Sequence, residues 1–281
     1  MAPTTKTIAV IGALRLDMDL TREQPLPPGA NIEQGVSALK DEAAIKGITT
    51  ARTAYQILGL AFRRGRINRV PDVRMVSVIG RDDYTEKIIA KVKEFKIGTD
   101  GIKIMPDKET DVCFNVLTKS TGETERYRES NPATPACWTE KDFENAQSFG
   151  GDPKPDLIII STELEKEVFT KILTCAKNNN IEVFLAKAPP YSIAKSLLEH
   201  ITYLVVDEDE AKKLSSENGA VFDSAKKLHE LGADRDRFTG ALAADLFAYQ
   251  GTISKGVMET AVKIAYEAAA STAQRAGTTK D

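Results

Sequence analysis

Between positions 156 and 206 the chain alternates short, mostly apolar runs with amphipathic stretches, and this rhythm limits the available folds more than any other feature. Residues 156–160, 181–185 and 201–206 are too short and too rich in apolar residues for surface helices and read as strands buried on both faces. Residues 163–177 carry Leu164, Val168, Ile172 and Ala176 at helical spacing, and Asn178-Asn179-Asn180 closes that segment. Residues 193–200 repeat the pattern. Strands separated by helices lie parallel in a sheet covered on both faces. Two earlier runs extend the sheet: residues 7–12, ending in Gly12, and residues 73–79, ending in Gly80 and followed by helical spacing over 84–95.

Other segments have a different character. Residues 112–117 and 125–128 flank Thr121-Gly122 with the alternation of a hairpin. Residues 237–249 and the Ala-rich stretch 257–275 read as helices. With 281 residues and neither a low-complexity linker nor a repeat, the chain is expected to form a single α/β domain over 1–281. Segments 14–35 and 105–128 would form a small β lid over its mainly parallel sheet.

Composition removes several classes of function. The net charge of −3, with no basic block, leaves no footprint for nucleic acid. No apolar run approaches the roughly 20 residues of a membrane span, and the polar start, residues 1–7, does not read as a signal peptide. Cys113, Cys137 and Cys175 are odd in number and far apart, which fits reduced thiols in a cytoplasmic protein better than disulfides or a zinc site. His200 and His229, both in helix-like surroundings, are too few for a His-based metal centre or a Ser-His-Asp triad.

The residues that carry chemistry begin at Asp236-Arg237-Phe238-Thr239-Gly240-Ala241, where an acid meets a helix start and small residues follow. Asp236 fits two compatible roles, the N-cap of helix 237–249 or a general base. Near the N-terminus, Gly12-Ala13-Leu14-Arg15-Leu16-Asp17 places a carboxylate just past the first strand, where α/β folds bind ligands. The acidic run Asp207-Glu208-Asp209-Glu210 suits either a metal or the first turn of a helix.

Taken together, these stretches resemble the ribokinase (PfkB) family of sugar kinases along nearly the whole chain. The resemblance implies a ribokinase-like fold and makes Asp236 the catalytic base. It makes Asp17 a ligand of sugar hydroxyls. It maps the family's Gly-Gly-Lys-Gly-Ala-Asn onto residues 44–49, which assigns Lys46, Gly47 and Thr49 to substrate binding, together with Glu163. It assigns Mg2+ to Asp207 and Glu210. It also implies a homodimer paired through the lids and a sugar-like or other small-metabolite ligand, with neither nucleic acid nor membrane as partner.

The chain departs from that pattern at defined places. Arg15 stands where the family has Asn, Ile45 where it has Gly, Thr49 where it has Asn, and Ala186 where it has Asn. Ala233-Asp234-Arg235 replaces the Gly-Ala-Gly whose backbone N–H groups hold the transferring phosphoryl group. The span from Glu210 to Asp236 is roughly forty residues shorter than the pattern, removing part of the C-terminal nucleotide-binding region. Losing one oxyanion-type donor costs roughly 10²–10³ in rate, so these changes predict inefficient phosphorylation, and the charge that Asp234 places where the resemblance puts a phosphate predicts weak or no ATP binding. The expectation is a pseudokinase or an enzyme repurposed for non-phosphorylating chemistry, set against an active kinase acting on ATP and D-ribose.

Overall fold

A computed structural model describes residues 6–25, 38–39, 44–128, 131–205, 235–248 and 261–265. Its main sheet has six strands: β1 (Lys6–Ile11), β5 (Pro71–Gly80), β6 (Gly98–Met105), β11 (Leu157–Ile160), β12 (Glu182–Leu185) and β13 (Tyr203–Leu204). They lie in the order β13-β12-β11-β1-β5-β6, and every neighbouring pair is parallel. The expected parallel sheet is therefore present, with expected strand 201–206 reduced to Tyr203–Leu204 within the described residues.

The apolar runs are continuous because both faces are covered. In β1, Ile8 and Val10 enter one core layer and Ala9 and Ile11 the other. In β11, Leu157 and Ile159 share the first layer, Ile158 and Ile160 the second. Helices α1 (Ile48–Arg63), α2 (Thr85–Glu94) and α5 (Arg235–Ala248) cover the first layer, joined by helical residues 261–265. Helix α3 (Lys166–Asn178) and short turns between 135 and 149 cover the second. A one-turn helix, α4 (Lys195–Leu198), stands where residues 193–200 were expected to be helical.

A second, five-stranded sheet contains β2 (Arg15–Arg22), β3 (Ala38–Leu39), β4 (Ala44–Lys46), β8 (Val112–Thr118) and β9 (Glu123–Arg128). Here β2 pairs in parallel with β8, and β8 and β9 form the expected antiparallel hairpin. Two dipeptide strands, β7 (Glu109–Thr110) and β10 (Pro132–Ala133), pair with each other.

Helix α1 and strand β6, two of the longer elements, had no counterpart in the sequence reading. Helix α1 buries Ile48, Ala51, Ala54, Leu58 and Ala61, a spacing of three and four that marks a helix. Strand β6 is obscured by Gly98, Asp100 and Gly101. Helices α1 and α5 approach so closely that a Cβ on Gly240 would collide with the Thr50 carbonyl oxygen and lie 3.1 Å from Ala54 N. Arg66, just past α1, bonds the buried Asp245 at 2.7 Å, which fixes the far end of the same contact.

Candidate ligand-binding cleft

From β1 the chain builds the sheet outward through β5 to β6, then returns to the other side of β1 with β11 and continues outward to β12 and β13. The direction of winding thus reverses between β1 and β11. The loops after two such strands separate, and a crevice opens at their C-terminal ends. A cleft of about 620 Å3 lies there, with Arg15, Gly47, Asp111, Ser161, Glu163 and Tyr191 among its lining residues.

Backbone bonds set its floor. Gly12 N donates to Val76 O at 3.1 Å, and Ser161 N donates to Ile11 O at 3.0 Å, so the β1 and β11 loops leave the sheet from fixed points. The chain before α1 presses on the β1–β2 turn. Gly47 has φ 87°, and a Cβ there would overlap the Ala13 carbonyl oxygen, so only glycine allows this approach. Gly47 gives α1 no side-chain cap, and α1 has no acid in its first turn. The positive end of that helix therefore reaches the cleft wall unneutralised by its own residues.

The loop after β11 supplies Glu163, with helix α3 starting only at Lys166 rather than at 163 as expected. Glu165, the residue before the helix, is extended (φ −60°, ψ 147°), which swings 161–165 across the cleft. Tyr191 Oη donates to Leu164 O at 2.8 Å and pins that loop. Burial, with Glu165 and Glu167 nearby, pushes the Tyr191 hydroxyl well above the ordinary tyrosine range. Lys187 Nζ lies 2.6 Å from Glu163 Oε1 in a largely exposed pair.

On the opposite wall, Arg15 and Asp17 are two apart on β2 and so share a face. Arg15 Nε donates to Asp17 Oδ1 at 2.6 Å and Arg15 Nη2 to Asp17 Oδ2 at 3.3 Å. That bond to Asp17 outweighs partial burial, and with the nearby Asp111 carboxylate it holds the guanidinium protonated. The side chain of Arg15 is 31% exposed, that of Asp17 only 10%.

The structure brings Gly47 and Glu163 to one cleft. It places Asp17 differently from expectation. The first strand ends at Ile11, and Asp17 lies on β2 of the second sheet, behind Arg15 rather than at the edge of the main sheet. Thr49, in the first turn of α1, is half-buried and does not line the cleft. Lys46 ends β4 with its main chain opposite Arg15. Asp236 falls in the first turn of α5 (Arg235–Ala248). Asp207 and Glu210 lie outside the described residues. Among the described residues no three His, Cys, Asp or Glu side chains gather as a metal site, and no helix is long and apolar enough to cross a membrane.

Sequence reasoning missed Asp111, Ser161 and Tyr191, which reach the cleft from three separate loops. The pairing of Arg15 with Asp17 was available from the two-residue period of a strand, had residues 15–22 been read as one.

Comparison with known proteins adds an independent observation. The model of the pfkB family of carbohydrate kinases matches residues 6–235. A ribokinase of Bacillus subtilis (strain 168) is 22% identical over 212 residues, 75% of this chain. The match spans 66% of that relative's length, just under two thirds. The ribokinase of Arabidopsis thaliana complexed with ribose and ATP superposes with a TM-score of 0.65 at 16% identity, covering 95% of this chain and 91% of that one. A ribokinase of Thermotoga maritima gives 0.57 at 20% identity, covering 94% and 92%. A ligand-free nucleoside kinase of Burkholderia thailandensis gives 0.65 at 14% identity, covering 94% and 93%. At these identities the likeness to solved structures establishes the fold.

Proposed function

The chain belongs to the pfkB family of carbohydrate kinases, and from that premise we propose that it holds a small polyhydroxylated ligand in the β1/β11 cleft, with ATP-dependent phosphorylation of D-ribose impaired or lost. One observation carries the reading: the carboxylate that the family resemblance assigns to sugar hydroxyls, Asp17, accepts two bonds from Arg15, which stands in the cleft wall in its place. A carboxylate engaged in this way offers fewer lone pairs to a vicinal diol. The replacement of Gly-Ala-Gly by Ala233-Asp234-Arg235 supports the second half, because Asp234 adds a negative charge where the resemblance puts a phosphate.

In this reading Arg15, Asp111 and Glu163 hold the ligand from opposite walls, and Gly47 lets the main chain approach it. Asp207 and Glu210 would hold Mg2+, the ion that supplies charge neutralisation when nucleotide binds. The second sheet would also pair with a second copy of the chain, and light scattering giving the 30.7 kDa monomer at high concentration would remove that part.

The alternative, an active sugar kinase, draws on a different observation. Thr50 and Ala54, early in α1, meet Gly240, early in α5, while Arg66 beyond α1 meets Asp245 late in α5. The two helices therefore run in the same sense and bring their positive ends to one side of the molecule, with Asp236 in the first turn of α5. Calorimetry with Mg-ATP and with D-ribose, followed by a coupled phosphorylation assay, separates the two. The expected result is no ribose turnover and weak or no nucleotide binding. Micromolar ATP affinity with turnover abolished by Asp236→Asn would instead establish the kinase.

A further inference from the structure

Arg15 has more hydrogen-bonding capacity than its partner uses. A guanidinium carries five N–H donors. Asp17 takes one from Nε and one from Nη2. The two donors of Nη1 have no hydrogen-bond acceptor among the described residues, although the side chain is two-thirds buried in the wall of a concave site. The pair with Asp17 also fixes the plane of the group, so the entropy of ordering a long side chain is already spent before any ligand arrives.

We propose that Arg15 makes this cleft a site for a sugar acid, a polyhydroxylated ligand ending in a carboxylate, in preference to a neutral sugar. The proposal rests on the reading that the cleft takes a polyhydroxylated ligand. A rigid guanidinium edge with spare donors matches the two oxygens of a carboxylate, which accept without having to donate. A hydroxyl of a neutral sugar uses that edge less well, since it is uncharged and brings a proton that the edge cannot accept. The uncapped start of α1 at Gly47 adds a favourable field from a second direction.

Charge in the wall sets the size of the effect. Asp17 is matched by Arg15, and Glu163 by Lys187. Asp111, which has a bonding partner of its own, and Glu165 also line the cleft, and their carboxylates oppose an anion. Hydrogen bonds between a guanidinium and a carboxylate are among the strong ones, and the two opposing carboxylates hold the net preference to about tenfold in affinity.

Calorimetry on the full chain with D-ribonate and with D-ribose tests this. Wild type is expected to bind D-ribonate about tenfold more tightly than D-ribose, and Arg15→Asn to bring that ratio to about one or to invert it. Arg15→Lys keeps the charge and lets Asp17 stay paired, so it serves if the asparagine variant does not fold. Losing the planar fork, it should retain less than half of the wild-type preference. Equal or tighter binding of D-ribose by wild type overturns the proposal while leaving the ligand class standing. So does an unchanged ratio in a folded Arg15 variant. If neither probe binds wild type, the proposal and the reading beneath it fail together.

Discussion

Two arginines at opposite ends of the central strands show how the same side chain can serve structure in one place and chemistry in another. Arg74, near the start of β5, is buried. Its Nε donates to Asp72 at 2.8 Å, its Nη1 faces the carbonyls of Gly150, Gly151 and Pro153 at 2.9–3.0 Å, and its Nη2 donates to Asp152 O at 3.1 Å. Every nitrogen is engaged, and the loop before β11 is wrapped around the guanidinium. Arg15 lines a cleft and bonds one carboxylate, and its Nη1 has no hydrogen-bond acceptor among the described residues. A saturated arginine is scaffold, because nothing is left to meet a ligand. A partly used arginine held rigidly in a concave wall is what a binding site requires.

The largest expected effect tests that difference directly. Arg74→Met strands four carbonyls and the Asp72 carboxylate and should cost about 3–5 kcal/mol, giving an insoluble or strongly destabilised protein. Arg15→Asn removes a partly exposed pair and should cost about 1 kcal/mol or less. Urea unfolding of both variants measures the contrast, and equal losses would break the comparison.

Next in size is Gly47→Ala. The left-handed backbone and the overlap with the Ala13 carbonyl together should destabilise by about 2–3 kcal/mol. Because Gly47 ties the start of α1 to the β1–β2 turn, ligand affinity should fall beyond what stability alone explains. A folded Gly47→Ala protein with unchanged ligand binding would show that this contact does not shape the cleft.

The smallest effect concerns Tyr191. Losing its bond to Leu164 O should cost about 1 kcal/mol at neutral pH in Tyr191→Phe. The folded hydroxyl ionises above the ordinary tyrosine value, so its stabilising contribution is complete below about pH 10 and is lost as pH rises towards the folded value. Wild type should therefore lose stability more steeply than Tyr191→Phe in the alkaline range, and the gap between them should narrow. Parallel profiles between pH 8 and 12 would mean that the Tyr191 hydroxyl has the same affinity for its proton folded and unfolded.

Much of the scaffold was legible because burial on both faces writes itself into the sequence. Ile8 to Ile11 and Leu157 to Ile160 alternate between two cores, and every position must be apolar. Strand β6 was not legible, since its edge position and close approach to β5 call for Gly98 and Gly101 rather than a hydrophobic pattern. Within the cleft, Gly47 and Glu163 were found through the family resemblance. Asp111 and Tyr191 were not, because each is a single residue in a loop whose neighbours carry no pattern.

By itself, then, the sequence determined the parallel α/β sheet, the hairpin of β8 and β9, and the polar groups available near the end of β1, since these follow from local periodicity and residue type. Tertiary structure alone decided which of those groups meet. The winding reverses between β1 and β11, bringing loops some 150 positions apart to one crevice, as in the bond from Ser161 to Ile11. It also turned Asp17 from an open ligand into the partner of Arg15. Periodicity fixes which face a side chain occupies, but the use of its remaining donors depends on contacts between segments that no local pattern encodes.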